Sequence, residues 1–159
     1  MGPHNCRDIR NFERDLTSDQ FRNVELVNAK GNVMTQMDAD GLNTAIKTYF
    51  DAIHECDVKK LDAVFHPQSS LFDADNGEIF VEPIDSFRAD VAGRKSPQSA
   101  GQALEAEVLM IDFLSPLSAI VKIRIRAHHN IFVDHLGFAK GSSGWKIVSK
   151  IWHLEQVLS

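Results

Sequence analysis

Cysteine is scarce in this chain: Cys6 and Cys56 are the only two. They lie far apart in sequence, and in a reducing compartment both stay thiols, so no disulfide framework is expected. No run approaches the roughly 18 consecutive apolar residues that a membrane-crossing helix needs. The first twenty residues, MGPHNCRDIRNFERDLTSDQ, lack the apolar core of a secretory signal. The expectation is a cytoplasmic protein with no membrane partner. Basic residues are outnumbered, 17 against 22 acidic, for a net charge of −5. Without a Lys/Arg stripe to neutralise phosphates, nucleic acid is not an expected partner.

What is present is the composition of one globular domain: 159 residues, 43% hydrophobic and 25% charged. A chain of this length buries about two-thirds of its unfolded surface, enough to fold without covalent or metal staples. Residues 1–37 stand apart, because their five basic residues (Arg7, Arg10, Arg14, Arg22, Lys30) cancel their five acidic ones (Asp8, Glu13, Asp15, Asp19, Glu25). Ile9, Phe12 and Leu16 share a helical face too small to bury itself. This segment is expected to be an N-terminal extension, docked or partly disordered, ahead of a domain spanning 38–159.

From Asp38 the patterning sharpens. Leu42, Ala45, Ile46, Tyr49, Phe50 and Ile53 recur at the spacing of one helix face, with Asp40 as the expected N-cap. Asp57 caps a second helix with Leu61, Val64 and Phe65 inward, stopped by His66-Pro67. Ser70–Ala74 and Glu78–Glu82 flank Asn76-Gly77, which signals a type I′ hairpin. Pro83 opens a third helix carrying Ile84, Phe87 and Val91, and a Ser/Pro/Gly-rich loop up to Gly101 ends it.

The last third alternates between apolar and polar residues, with turns at Ser115-Pro116, His129-Asn130 and Gly141–Gly144. Val121, Ile123, Ile125 and Ala127 oppose Lys122, Arg124, Arg126 and His128. Ala106, Val108 and Met110 oppose Glu105 and Glu107, so acids and bases can meet across the outer face. On the last strand, Trp145, Ile147, Ser149, Ile151 and His153 are taken as inward, because that choice leaves Lys146 and Lys150 in solvent. Together these features predict an α+β fold: three helices packed on a strongly curved, mixed but mostly antiparallel sheet, forming a cone with a central pocket.

That order of elements, with TYFDAIHECDVKKLDAVFHPQSSLFD at 48–73 and FVDHLGFAKGSSGWKIVSKIW at 132–152, resembles the nuclear transport factor 2-like superfamily. Within it the chain is most similar to the branch named for lumazine binding, beside SnoaL-type polyketide cyclases and ketosteroid isomerases. The resemblance covers about residues 40–155. Its functional content is broad, because the fold hosts isomerases, dehydratases, cyclases, hydrolases and noncatalytic assembly domains.

Several residues draw attention on their own. Phe72 and Asp73 must point to opposite faces of a strand. Asp134 lies in the otherwise apolar face Phe132, Leu136, Phe138, where a carboxyl needs pairing, protonation or a use. Tyr49, the only tyrosine, sits on the apolar helix stripe, so its hydroxyl needs a partner. The resemblance aligns these positions with those of the isomerases. It implies Asp73 as the base for a carbon-bound proton, with Tyr49 and a protonated Asp134 donating to an enolate oxygen and no cofactor needed.

The bland alternatives are a backbone carbonyl as partner for Tyr49, a solvent-facing Asp73, and an Asp134 that accepts from His153. An inward His153 would serve as general acid or base beside Asp134, or be structural. Phe65, Phe87, Met110, Ile125, Phe132 and Leu136 are the expected walls for a small apolar ligand, or simply core. Adjacent His128 and His129 point to opposite faces, so no metal site is expected. The two functional readings are a cofactor-independent isomerase, cyclase or dehydratase acting on a small apolar carbonyl compound, and a noncatalytic ligand-binding or dimerisation module. A homodimer through the outer sheet face, where Lys122, Arg124, Arg126, Val148 and Trp152 mix charge with apolar surface, is expected from the fold.

Overall fold

The computed structural model describes residues 38–159; the expected extension over 1–37 lies outside the described residues. Helix α1 spans Ala39–Glu55 and buries Leu42, Ile46 and Tyr49 of the expected stripe together with Ala52, while Ala45, Phe50 and Ile53 are partly buried against the same core. Its N-cap is Asp38 rather than Asp40: the Asp38 carboxylate accepts from the Gly41 amide at 2.9 Å. The same carboxylate takes the Lys140 ammonium at 2.7 Å and the Trp145 indole N–H at 3.3 Å, which ties the start of the helix to the sheet. Asp40 sits in the first turn, where negative charge complements the helix dipole.

Asp57 caps helix α2 (Val58–Val64) through the Lys59 and Lys60 amides, as expected. Strand β1 (Phe65–Asp73) begins five residues earlier than the expected Ser70. Its pairing is irregular between Phe65 and Ser70, so Pro67, which has no N–H to donate, falls where the ladder is interrupted. Strand β2 (Phe80–Pro83) pairs antiparallel with β1, from Ser70 opposite Pro83 to Asp73 opposite Phe80. The connection is not a two-residue turn at Asn76-Gly77. Its one turn bond runs from the Gly77 amide to the Ala74 carbonyl at 2.9 Å, centring the turn on Asp75-Asn76 and leaving Gly77 with the positive φ of 82°.

Helix α3 (Ile84–Gly93) follows, burying Ile84, Phe87 and Val91. A long loop containing one 3₁₀ turn (Gln98–Ala100) leads to the meander β3 (Ala106–Ser115), β4 (Ser118–Ala127), β5 (Asn130–Gly141) and β6 (Gly144–Val157). The six strands form one sheet in the order β2-β1-β6-β5-β4-β3. Only the β1–β6 pair is parallel, so the expected mixed, mostly antiparallel α+β architecture is what forms. The core lies between the helices and the inner sheet face, where Val121, Ile123, Ile125, Leu136, Phe138 and Ile147 are buried.

Two β-bulges decide which residues face that core. On β3, Val108 pairs with Ile123 and Met110 with Lys122, which leaves Leu109 extra. Met110 therefore turns to the outer face and is 44% exposed, not inward as simple alternation predicts. On β6, Ile147 pairs with Phe138 and Ser149 with Gly137, which leaves Val148 extra. Trp145 and Ile147 are buried as expected, but beyond the bulge the faces exchange. Lys150 and Trp152 turn inward, while Ile151 and His153 turn out. Glu107 meets Arg124 at 2.7 Å and Glu105 meets Arg126 at 2.6 Å across the outer face, as the charge pattern predicts.

Candidate functional site

Three side chains from three elements converge on the inner face. Tyr49 comes from the buried stripe of α1, Asp134 from the inward set of β5, and Lys150 from β6 after its bulge. The Tyr49 hydroxyl donates to Asp134 Oδ2 at 2.6 Å. Lys150 Nζ donates to the Tyr49 oxygen at 2.9 Å and lies 3.0 Å from Asp134 Oδ2. Tyr49 and Asp134 are fully buried, and Lys150 is 7% exposed. The Lys150 nitrogen also stands 5.2 Å from the Phe87 ring centroid and 5.5 Å from that of Tyr49, distances at which a cation is attracted to an aromatic face.

The phenol of Tyr49 is held well above its usual range, first by burial and then by the charge of Asp134 and the bond donated to it. Tyr49 is thus a hydrogen-bond donor rather than a base. Asp134 Oδ1 is fully buried without a hydrogen-bond partner among the described residues, an oxygen that a protein does not ordinarily leave idle.

A cavity of about 130 Å³ opens beside this cluster. Tyr49 and Ile53 of α1 and Phe87 of α3 form the helix side, and Leu71, Ile125, Ala127, Phe132 and Trp152 form the sheet side. Among the described residues Lys150 is the only amine lining it and Glu82 the only carboxylate, with Arg94 beyond the end of α3 as a second cation. The volume is below the roughly 300–1,000 Å³ of drug-sized sites, so the cavity suits a compact ligand.

Of the expected site residues, the structure brings Tyr49 and Asp134 into contact and sets Phe87, Ile125 and Phe132 in the cavity wall. Asp134 accepts from Tyr49 and is ion-paired with Lys150, whereas the resemblance implied that it donates. Asp73 shares the inner face of β1 with Leu71 and is 8% exposed, but it does not line the cavity; its carboxylate accepts from the Asp75 amide at 3.3 Å. His153 is on the opposite face from Asp134, pairing with Asp75 at 2.6 Å, so it is neither a proton-transfer partner nor a donor to Asp134. Met110 is on the outer face. Phe65 and Leu136 are core: Phe65 packs on Tyr49 with centroids 6.0 Å apart, and Leu136 is fully buried.

Sequence reasoning missed Lys150, Glu82 and Arg94. A signal for Lys150 was present in Gly137, since a glycine inside a strand marks a bulge or a close approach. A Cβ at Gly137 would stand 2.5 Å from Ser149 Oγ, directly beside the bulge that turns Lys150 inward.

The comparisons with known proteins agree with this fold. Residues 37–153 match the family described as "Putative lumazine-binding", and the chain belongs to that family. Among curated proteins it is similar to the aldolase FrzH of a Cladobotryum species, 26% identical over 122 residues, which are 76% of this chain and 94% of that one. Among solved structures it matches a nuclear transport factor 2-like protein of unknown function from Shewanella baltica, with a TM-score of 0.66 at 19% identity, covering 77% of this chain and 97% of that one. A ketosteroid isomerase-like protein from Erwinia carotovora atroseptica matches with a TM-score of 0.55 at 11% identity, covering 74% and 95%. These structural likenesses establish the nuclear transport factor 2-like fold.

Proposed function

We propose that this protein binds a compact, largely apolar carbonyl compound in the cavity beside Lys150 and removes a proton next to the carbonyl without a cofactor. The observation that carries this reading is the buried Tyr49–Asp134–Lys150 cluster set at the wall of an apolar cavity. Lys150 donates one N–H to Tyr49 and is ion-paired with Asp134 among the described residues, and an ammonium carries three donors, so one of them can serve a carbonyl oxygen. A charge-assisted donor fixed in a dry site stabilises the negative charge that develops on that oxygen as an enolate forms. Glu82 is the carboxylate in the cavity wall among the described residues and the first candidate to take the carbon-bound proton; Asp73, outside the wall but on the same strand face as the wall residue Leu71, is the second. The enolate then takes a proton at another carbon, as in an isomerisation, or adds to a second carbonyl, the kind of reaction named for the Cladobotryum relative.

The test is exchange of α-protons in D2O, followed by NMR over a panel of small ketones and aldehydes. Wild type is expected to accelerate exchange and Lys150→Met to abolish the acceleration, with Glu82→Gln and Asp73→Asn separating the two candidate bases. Absence of both exchange and any ligand-induced thermal shift overturns the reading.

One observation favours a noncatalytic ligand-binding or homodimerisation module: the Tyr49 proton is already spent on Asp134, so the cluster largely satisfies itself. In that reading, ligands shift the melting temperature but no proton exchanges. Either reading is compatible with a homodimer through the outer sheet face, where Met110, Ile120 and Ile151 are exposed beside Lys122 and Arg124.

A further inference from the structure

We propose that Lys150 is a nucleophile that forms an imine with the carbonyl carbon of the bound ligand, an aldehyde or ketone. This rests on the carbonyl-binding reading above and goes further, replacing a hydrogen bond to the ligand oxygen by a covalent bond to its carbon. A lysine is used this way when its amine is withdrawn from water beside a group that can carry its protons. Lys150 meets both conditions: it is buried in the wall of the apolar cavity, the only amine there among the described residues, and Asp134 Oδ2 lies 3.0 Å from its nitrogen.

The step balances without any co-reactant. The ammonium passes a proton to Asp134, whose Oδ2 lies 3.0 Å from Nζ and whose Oδ1 has no hydrogen-bond partner among the described residues. The freed nitrogen lone pair attacks the carbonyl carbon, the C–O π bond breaks, and the oxygen takes the proton that the attacking nitrogen releases, giving a neutral carbinolamine. The nitrogen lone pair then expels that oxygen, which leaves as water with the proton held by Asp134, restoring the carboxylate. In total, one ammonium and one carbonyl become one iminium N–H and one water, with the positive charge unchanged. The ion pair with Asp134 is therefore present at the start and at the end, and the Phe87 and Tyr49 rings near Nζ favour a cation in both states. The iminium withdraws electrons from the neighbouring C–H bond more strongly than the neutral carbonyl, so the same base removes the same proton to leave an enamine.

The experiment treats the full chain with cyclohexanone and sodium cyanoborohydride at neutral pH and maps alkylated lysines by peptide mass spectrometry. Exposed Lys47 and Lys59 serve as internal references. The expected result is an adduct on Lys150 that forms at least about tenfold faster than on the references, as for an amine activated by its site. An adduct no faster than on Lys47 and Lys59, or none at Lys150, overturns the proposal. A second measurement follows loss of the carbonyl oxygen to H2¹⁸O, which passage through a carbinolamine requires and an enolate route does not. Exchange is expected with wild type and not with Lys150→Arg, which keeps the charge but forms no imine. If α-proton exchange occurs with wild type while oxygen exchange and the adduct are both absent, the imine is overturned and the enolate reading stands; if all three are absent, both fall.

Discussion

Lys150 and Asp134 hold each other in place at a cost that shows when one of them is removed. Lys150→Met leaves a fully buried carboxylate without its cation, and breaking such a pair costs about 3–5 kcal/mol. The expected outcome in urea unfolding is a loss of that size, largely recovered in Lys150→Met/Asp134→Leu/Tyr49→Phe, since an apolar set of similar volume avoids the desolvation penalty and leaves no buried hydroxyl without its acceptor. Tyr49 gives a second prediction at this scale. Its phenol is raised in the folded state, first by burial, so its contribution is complete below the unfolded phenol value and declines as pH rises past it. Wild-type unfolding midpoints are expected to fall above about pH 10, the ordinary phenol value, more steeply than those of Tyr49→Phe measured in parallel. Asp134 was legible from sequence, because Phe132, Leu136 and Phe138 surround it on one strand face. Tyr49 was legible from helix periodicity. Lys150 was not, because simple alternation on its strand places it in solvent.

The elements carry the reason for that blindness. Periodicity with cap and turn signals located the three α-helices of the described residues and the alternating segments of the meander. A bulge adds one residue without altering composition, and from that residue to the next irregularity in the pairing the side chains exchange faces. Both Met110 and His153 were misplaced in this way, and Lys150 and Trp152 with them. The cap of α1 is a smaller case: Asp38 and Asp40 are equivalent in sequence, and only the fold brings Lys140 and Trp145 to the former. The Asp38 carboxyl is held below its ordinary value, first by the Lys140 bond and then by the Gly41 amide. Its contribution is therefore present above the ordinary carboxyl value and lost as pH falls through the folded one. Asp38→Ala is expected to lower stability by about 0.5–2 kcal/mol at neutral pH, the usual range for a lost cap, and by less in acid, as read from urea midpoints.

For the whole molecule, the outer sheet face sets the expectation. Arg124 spans Glu107 and Glu155 there, an exposed ion network of small net stability. Ile151, Met110 and Ile120 remain uncovered between the charges. Sedimentation is expected to show a dimer for wild type and a monomer for Ile151→Asp with the α-proton exchange unchanged; a monomeric wild type removes the dimer expectation. Among the described residues no helix is long and apolar enough to cross a membrane.

The side-by-side, same-direction pairing of β1 with β6 has a consequence for how the chain reaches its native form. Leu71 lies against Lys150, so the seam between the two halves of the sheet cannot close until the last strand has been made. Contacts so distant along the chain are slow to form, because the entropy of closing the intervening loop is lost before the pairing rewards it. The strand that brings the buried amine is also the one that joins the sheet, so during synthesis the pocket and the completed fold arrive together.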